Sequence, residues 1–197
     1  EVQVVRLEPQ ISEEDKETVK ERLRELAERV NKGNADFTVL ARLYSEDEAT
    51  AKQGGDLGFF GRGMMEPEFL NIAFDLQEVG KVSRVVETVY GYHIIQLVER
   101  KGDRINCRHI LMRPKVSNSV KAATLARLDS IANEIKNNRL TFEEAATNFS
   151  SDKNTKFNGG LMSNANNGST RFEYQNLPAD IAKQVYNMQK GDIRSEE

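Results

Sequence analysis

The stretch YSEDEATAKQGGDLG at residues 44–58 decides the fold, because FSSDKNTKFNGGLMS at residues 149–163 repeats its pattern. A serine, an aspartate and a glycine pair recur at the same places in both stretches, 105 residues apart. The same offset extends without a gap to the helix-like and strand-like segments that precede each stretch. Self-similarity at a fixed period is the signature of a repeated structural unit. The sequence therefore predicts two modules of one fold.

The first copy divides into helices and strands by its periodicity. Ser12 is an N-cap residue before an acidic first turn, and apolar residues then recur at helical spacing until Gly33. Residues 2–7 are rich in β-branched side chains, which favours a strand. The other predicted elements are helices over residues 36–44 and 66–74 and strands over residues 82–87 and 92–98. This set of predicted helices and strands indicates an α+β module, with a small antiparallel sheet and about three to four helices.

The repeat also predicts the domain organisation of the chain. The first module is expected over residues 1–102 and the second over residues 103–197, with a short polar boundary at residues 101–103. The sequence ends soon after the equivalent of Val82. The second module is therefore expected to be incomplete, without its closing strands.

Composition excludes several classes of function. The formal net charge of −3 leaves no basic excess for a nucleic-acid backbone, and no run approaches the length of a membrane span. One cysteine cannot form an intramolecular disulfide, and two histidines with one cysteine do not make a convincing zinc site. The sequence has neither a phosphate-binding loop nor a Gly-x-Ser-x-Gly motif. We expect no metal and no cofactor.

Four segments of the first copy, in this order and at suitable spacing, resemble the parvulin (PpiC-type) family of peptidyl-prolyl cis-trans isomerases. They are Tyr44-Ser45-Glu46-Asp47, Gly54-Gly55-Asp56-Leu57-Gly58, Met65-Glu66-Pro67-Glu68-Phe69 and Gly91-Tyr92-His93-Ile94-Ile95. In the second copy, His109-Ile110-Leu111 resembles the opening strand of the family. Tandem modules of this kind are similar to the SurA-type periplasmic chaperones.

The resemblance implies a site in the first module. The implied residues are Asp47, Thr88 and His93 on a polar catalytic floor and Leu57, Met65, Phe69 and Phe74 in or behind a proline pocket. His109 and Asp152 would form a partial site in the second module. The family usually places a histidine where Val4 stands, so no histidine pair is expected in the first module, and Val4→His would restore it. Core packing, turns and structural roles are the alternatives for all these residues.

Two functions from different classes follow from the resemblance. The first is prolyl isomerisation, which assists the folding of exported proteins. The second is chaperone binding of extended unfolded segments without catalysis, and a purely structural tandem is a third possibility. Either main function implies unfolded or proline-containing polypeptides as partners, with outer-membrane proteins as candidate clients. The resemblance also implies a periplasmic location, although the sequence shows no signal peptide.

Overall fold

The chain, described by a computed structural model over residues 1–164 and 167–195, forms two compact units. The central unit comprises Ile11–Lys115. The composite unit combines Glu1–Gln10 with Val116–Glu197. These units do not coincide with the predicted domains, because the first ten residues belong to the composite unit and the segment up to Lys115 belongs to the central unit.

The central unit contains four helices and one sheet. Helix α1 begins after Ser12, whose hydroxyl accepts a hydrogen bond from Asp15 N at 3.0 Å, while the Asp15 carboxylate accepts one from Ser12 N at 2.9 Å. This reciprocal capping box satisfies two backbone donors that a helix start would otherwise leave unpaired. The helices are α1 (Glu13–Asn31), α2 (Phe37–Tyr44), α3 (Glu48–Ala51) and α4 (Pro67–Asp75). The predicted mixed fold of helices and an antiparallel sheet is confirmed.

The sheet of the central unit has four antiparallel strands in the order β1-β4-β3-β2. The strands are β1 (Asp56–Phe60), β2 (Val86–Thr88), β3 (Gly91–Lys101) and β4 (Arg104–Met112). One of its two inner strands, β4, comes from the segment that the sequence assigned to the second module. Residues 101–103 are therefore part of a tight hairpin between β3 and β4, rather than a boundary between domains.

Local chemistry explains why β4 stays with β3. Lys101 pairs with Arg104, so Gly102 and Asp103 form a two-residue turn, and Gly102 adopts a φ of 57°. Two-residue hairpin turns favour glycine because they require a positive φ. The strand also buries Ile105, Cys107, Ile110 and Leu111, each at most 3% exposed. Both the turn and the apolar side chains stabilise this pairing.

Two hydrophobic clusters cover opposite faces of the sheet. Helices α1 and α2 pack on one face with Ile94 and Ile110. Helix α4 packs on the other face with Ile95, Leu97 and Cys107. Successive strand residues point to opposite faces. His93 and His109 therefore lie on the face that α4 covers.

The composite unit reproduces the start of the same fold. Helices α5 (Asn118–Lys136) and α6 (Phe142–Phe149) begin and end 105 residues after α1 and α2, and α7 (Ala179–Val185) follows. Strand pairing among its described residues is a single bridge between Gln3 and Leu161. No helix within residues 1–164 and 167–195 is long and apolar enough to cross a membrane.

Candidate active site

Two histidines on neighbouring strands form the centre of the candidate site. His93 lies on β3 and His109 on β4, and their rings stack at 18° with centroids 5.4 Å apart. The ring of Phe69, from α4, meets the edges of both imidazoles, at 5.5 Å from His93 and 5.8 Å from His109. Both histidines are at most 6% exposed. Helix α4 therefore holds the pair against the sheet.

A continuous chain of hydrogen bonds crosses the pair. Thr88 Oγ1 lies 2.8 Å from His93 Nε2, and the two Nδ1 atoms of the histidines lie 3.2 Å apart. His109 Nε2 lies 2.8 Å from Asp47 Oδ2 and 3.1 Å from the hydroxyl of Thr50. Thr50 also donates to the Asp47 carboxylate. Each of these buried polar groups therefore has a partner.

The ionised carboxylate of Asp47 determines the tautomers of both rings. A carboxylate only accepts hydrogen bonds, so His109 must donate from Nε2 and, as a neutral ring, accept at Nδ1. His93 then donates from Nδ1 and accepts at Nε2 from the hydroxyl of Thr88. The backbone N–H of Tyr90 donates to Thr88 Oγ1 at 3.1 Å. The whole chain of donors thus points towards Asp47.

Burial keeps both imidazoles neutral. Burial, with a smaller effect of the neighbouring His109 in the same direction, lowers the pKa of His93 to about 4. Burial also lowers the pKa of His109, although the hydrogen bond with Asp47 opposes this. Burial raises the pKa of Asp47, but the hydrogen bonds from Thr50 and His109 together outweigh it, so the pKa lies below its usual value. Near neutral pH the site holds one carboxylate and two uncharged rings.

An open cleft of about 430 Å³ lies over this network. Its apolar walls come from Leu57, Met64, Met65 and Phe69, and its polar lining comes from Glu66, Thr88, Tyr90, His93 and His109, with Gly63 at the edge. Apolar walls exclude water from a bound group, and the polar floor fixes its orientation. The cleft suits a small apolar ring attached to a polar backbone, and it presents no activated nucleophile.

Six of the predicted site residues come together in this arrangement. Leu57, Met65, Phe69, Thr88 and His93 line the cleft, and Asp47 supports its floor through His109. Met65 packs against the cluster that α4 forms with the sheet.

Two predicted placements differ from the structure. Phe74 does not line the cleft: it packs in the core, with its ring centroid 6.3 Å from that of Phe60. His109 lies in the site of the central unit, so the expectation that this site lacks a histidine pair is wrong. The strand that carries His109 pairs with β3, which the order of the repeats did not reveal. Asp152 belongs to the composite unit, where it accepts a hydrogen bond from Thr155 at 2.8 Å, whereas His109 belongs to the central unit.

Sequence reasoning also missed several residues of the site. Thr50 binds Asp47, and Met64, Glu66 and Tyr90 complete the lining of the cleft. Thr50 has a counterpart 105 residues later in Thr155, so the repeat could have pointed to it. Met64 and Tyr90 are 66% and 58% exposed, and their sequence carries no periodic signal of a site.

Comparison with known families agrees with this geometry. The family described as "Rotamase: PPIC-type PPIASE domain" matches residues 4–99 and 109–196. The chain belongs to this family. The family matches two separate segments of the chain, and the resemblance drawn from the motifs is confirmed.

The chain is similar to proteins named as foldases and chaperones. A foldase protein PrsA of Halalkalibacterium halodurans is 48% identical over 45% of this chain, and one of Geobacillus kaustophilus is 39% identical over 59%. A chaperone SurA of Albidiferax ferrireducens is 40% identical over 50% of the chain. The matched segments span 25%, 34% and 20% of these relatives' own lengths.

Proposed function

We propose that the central unit is a peptidyl-prolyl cis-trans isomerase that assists the folding of exported proteins. The observation that supports this most is the apolar cleft over two buried, neutral histidines that are hydrogen-bonded to each other. The names of the relatives, foldase and chaperone, support unfolded polypeptides as substrates. The chain matches only part of each relative, so this activity is proposed for the central unit itself.

The arrangement suits a reaction in which no bond is made or broken. Rotation about a prolyl bond faces a barrier of about 20 kcal/mol because twisting removes amide resonance. Leu57, Met65 and Phe69 would hold the proline ring and exclude water, which favours the less polar twisted amide over the planar one. Every donor on the floor already has an acceptor, so the network would position the substrate rather than transfer a proton. We therefore expect a rate that is nearly independent of pH between about 6 and 8.

An isomerase assay on a proline-containing peptide tests the proposal. Met65→Ala removes a wall of the cleft and should lower kcat/KM roughly tenfold, which corresponds to about 1.4 kcal/mol of transition-state stabilisation. Met188→Ala is the matched control, because Met188 is also half-buried but lies in the composite unit. The isomerase proposal fails if the unaltered chain does not accelerate isomerisation, or if both variants lose activity equally.

Chaperone binding without catalysis is the second candidate. Val89 is 83% exposed beside Tyr90, and Met64 is also exposed, so apolar surface continues beyond the cleft. Exposed apolar patches of this kind bind extended polypeptides, and methionine adapts to varied partners. Replacing Met64 and Tyr90 by serine should weaken binding of an unfolded polypeptide more than it lowers the isomerase rate on a short peptide. Binding by the unaltered chain without any isomerisation would favour this second function.

The place of action and the clients are finer proposals. We propose that the chain acts in the periplasm on outer-membrane proteins, which is supported by the resemblance to SurA-type chaperones. Fractionation of the native host cells tests the location. Binding to an unfolded outer-membrane protein, compared with an unfolded cytoplasmic protein of equal length, tests the client class.

A further inference from the structure

The opening segment of each repeat, residues 1–10 or β4, lies in the unit that contains the helices of the other repeat. Residues 1–10 precede the helices of the first repeat in sequence but lie in the composite unit with the second repeat. Strand β4 precedes the helices of the second repeat but lies in the central unit with the first. Each repeat thus uses the strand of the other.

Strand β4 and residues 1–10 make equivalent hydrogen bonds to the glycine pairs of their units. His109 N donates to Gly55 O at 2.9 Å, and Val4 N donates to Gly160 O at 2.8 Å. All four residues correspond at the offset of 105. Both glycines have a φ of 79°, and a Cβ added to either would approach the carbonyl oxygen of the facing strand within 2.7 Å. The backbone of the opening segment therefore contacts the glycine pair in the same way in both units.

The equivalence continues at the serine of each loop. Leu111 N donates to Ser45 Oγ and Arg6 N donates to Ser150 Oγ, both at 3.2 Å. In the return direction, the backbone N–H after each serine donates to the strand carbonyl at 2.7 Å in both units. Most of these contacts involve backbone atoms, which are the same in either strand. Neither loop therefore selects its strand by side chain at these points.

Each loop also carries an acceptor for a histidine. Asp47 with Thr50 in the central unit corresponds to Asp152 with Thr155 in the composite unit, and each threonine hydroxyl donates to its aspartate. Of the two opening strands, only β4 contains a histidine, His109. The strand that occupies a loop therefore determines whether its aspartate meets an imidazole.

We propose that the two opening strands are interchangeable and that their pairing decides which repeat holds His109. In the exchanged arrangement described above, His109 completes the network of the central unit. In the direct arrangement, residues 2–7 would lie beside β3 and place Val4 next to His93, while His109 would move to the loop of Asp152. The exchange thus acts as a conformational switch of the first site. This proposal rests on the proposed isomerase function only for its effect on activity.

The exchanged arrangement should be the more stable one, because β4 is closer to β3 in the sequence than residues 2–7 are. Strand β4 follows β3 after two residues, whereas residues 2–7 precede β3 by more than eighty residues. Short loops close faster and at a lower entropic cost than long ones. During synthesis, however, residues 2–7 emerge first and can pair with the first repeat before β4 exists. We therefore expect the direct arrangement as a minor state, formed during folding and replaced slowly.

Engineered disulfides can capture each arrangement in the full chain. Gln3 and Leu161 are bridge partners in the exchanged arrangement, and the offset makes Gln3 and Asp56 the partners in the direct one. Antiparallel partners lie about 4.5 to 5.5 Å apart between Cα atoms, which a disulfide can span. The variants are Q3C/L161C, Q3C/D56C and, as a control for reaction with the buried Cys107, Q3C alone.

The proteins are purified under reducing conditions without an unfolding step and then oxidised, and intrachain cross-links are identified by peptide mass spectrometry. We expect most of Q3C/L161C to cross-link, and Q3C/D56C to cross-link slowly but above the Q3C control. No cross-link above that control in Q3C/D56C would mean that the strands are not interchangeable. No cross-link in Q3C/L161C would mean that they are not exchanged.

Activity provides the second readout, measured on each cross-linked protein and on the same protein after reduction. Isomerase activity should be retained in cross-linked Q3C/L161C and should fall at least about tenfold in cross-linked Q3C/D56C, with recovery on reduction. Full activity in cross-linked Q3C/D56C would overturn the role of His109 in the switch. If the reduced proteins have no activity, the isomerase proposal fails, while the cross-links still decide whether the strands interchange.

Discussion

The loops after α2 and α6 have nearly the same structure but different surroundings. In the central unit, Asp47 accepts hydrogen bonds from Thr50 and from the imidazole of His109. In the composite unit, Asp152 accepts one from Thr155, and the facing strand has Val4 at the equivalent position. The loop is therefore part of the scaffold of each repeat. The site depends on what the strands and α4 bring to that loop.

The largest difference between the units should be the effect of removing an aromatic ring. Phe69 is 4% exposed and contacts both histidines, so Phe69→Ala should cost about 3–5 kcal/mol of unfolding free energy and remove isomerase activity. Phe157 of the composite unit is 82% exposed, and Phe157→Ala should change stability by less than about 0.5 kcal/mol. Denaturant unfolding measures both. Similar costs for the two variants would contradict the packing of Phe69 over the pair.

The pH dependence of stability should arise mainly from the two histidines of the central unit. An unfolded histidine binds a proton below about pH 6.5, whereas the pKa of His93 in the folded chain is about 4. The unfolded state binds more protons between these values, so stability falls as the pH falls from about 6.5 to 4, and His93 alone contributes up to about 3–4 kcal/mol to this loss. The lowered pKa of His109 acts in the same direction.

Thermal unfolding at several pH values between about 4 and 6.5 measures how the stability changes with pH. His93→Leu removes the group with the lower pKa and should give a flatter profile. A profile for the unaltered chain as flat as that of His93→Leu would contradict the neutral, buried state of the ring.

Replacing His109 by valine makes the strand of the central unit resemble that of the composite unit. His109→Val leaves His93 Nδ1–H without its acceptor and Asp47 without one donor, which should cost about 1–3 kcal/mol of stability. Isomerase activity should fall by at least about tenfold. Val4→His changes the composite unit and should leave activity unchanged, contrary to the expectation from sequence that it restores the pair. A gain of activity in Val4→His would place residue 4 in the first site.

The smallest expected effect compares the two aspartates. Asp47→Asn keeps an oxygen that can accept from His109 but removes the charge that fixes the tautomer, so activity should fall roughly threefold to tenfold. Asp152→Asn is the matched change in the composite unit and should have no effect on activity. The isomerase assay at pH 7 checks both variants. Equal losses would show that the second loop contributes to the reaction.

Much of the fold followed from the sequence because it depends on local signals. Ser12 capped α1 as predicted, and the offset of 105 residues set the bounds of α5 and α6. Leu57, Met65 and His93 were grouped in one site by the resemblance to the family, and all three line the cleft. The partner of β4 could not be predicted, because equivalent backbone hydrogen bonds hold β4 to the loop of the central unit and residues 1–10 to the loop of the composite unit. Position in the repeat assigned His109 to the second copy, whereas the hairpin at Gly102 assigns it to the first.

The most direct test of the account is nitrogen NMR of the imidazoles in the intact chain. The sequence has two histidines, so the spectrum contains only two rings, and His109→Val assigns them. The structure predicts two neutral rings at pH 7, His93 protonated at Nδ1 and His109 at Nε2, with a scalar coupling through the hydrogen bond between their Nδ1 atoms. Two uncoupled rings with the tautomers of free histidine would contradict the claim that β4 completes the site.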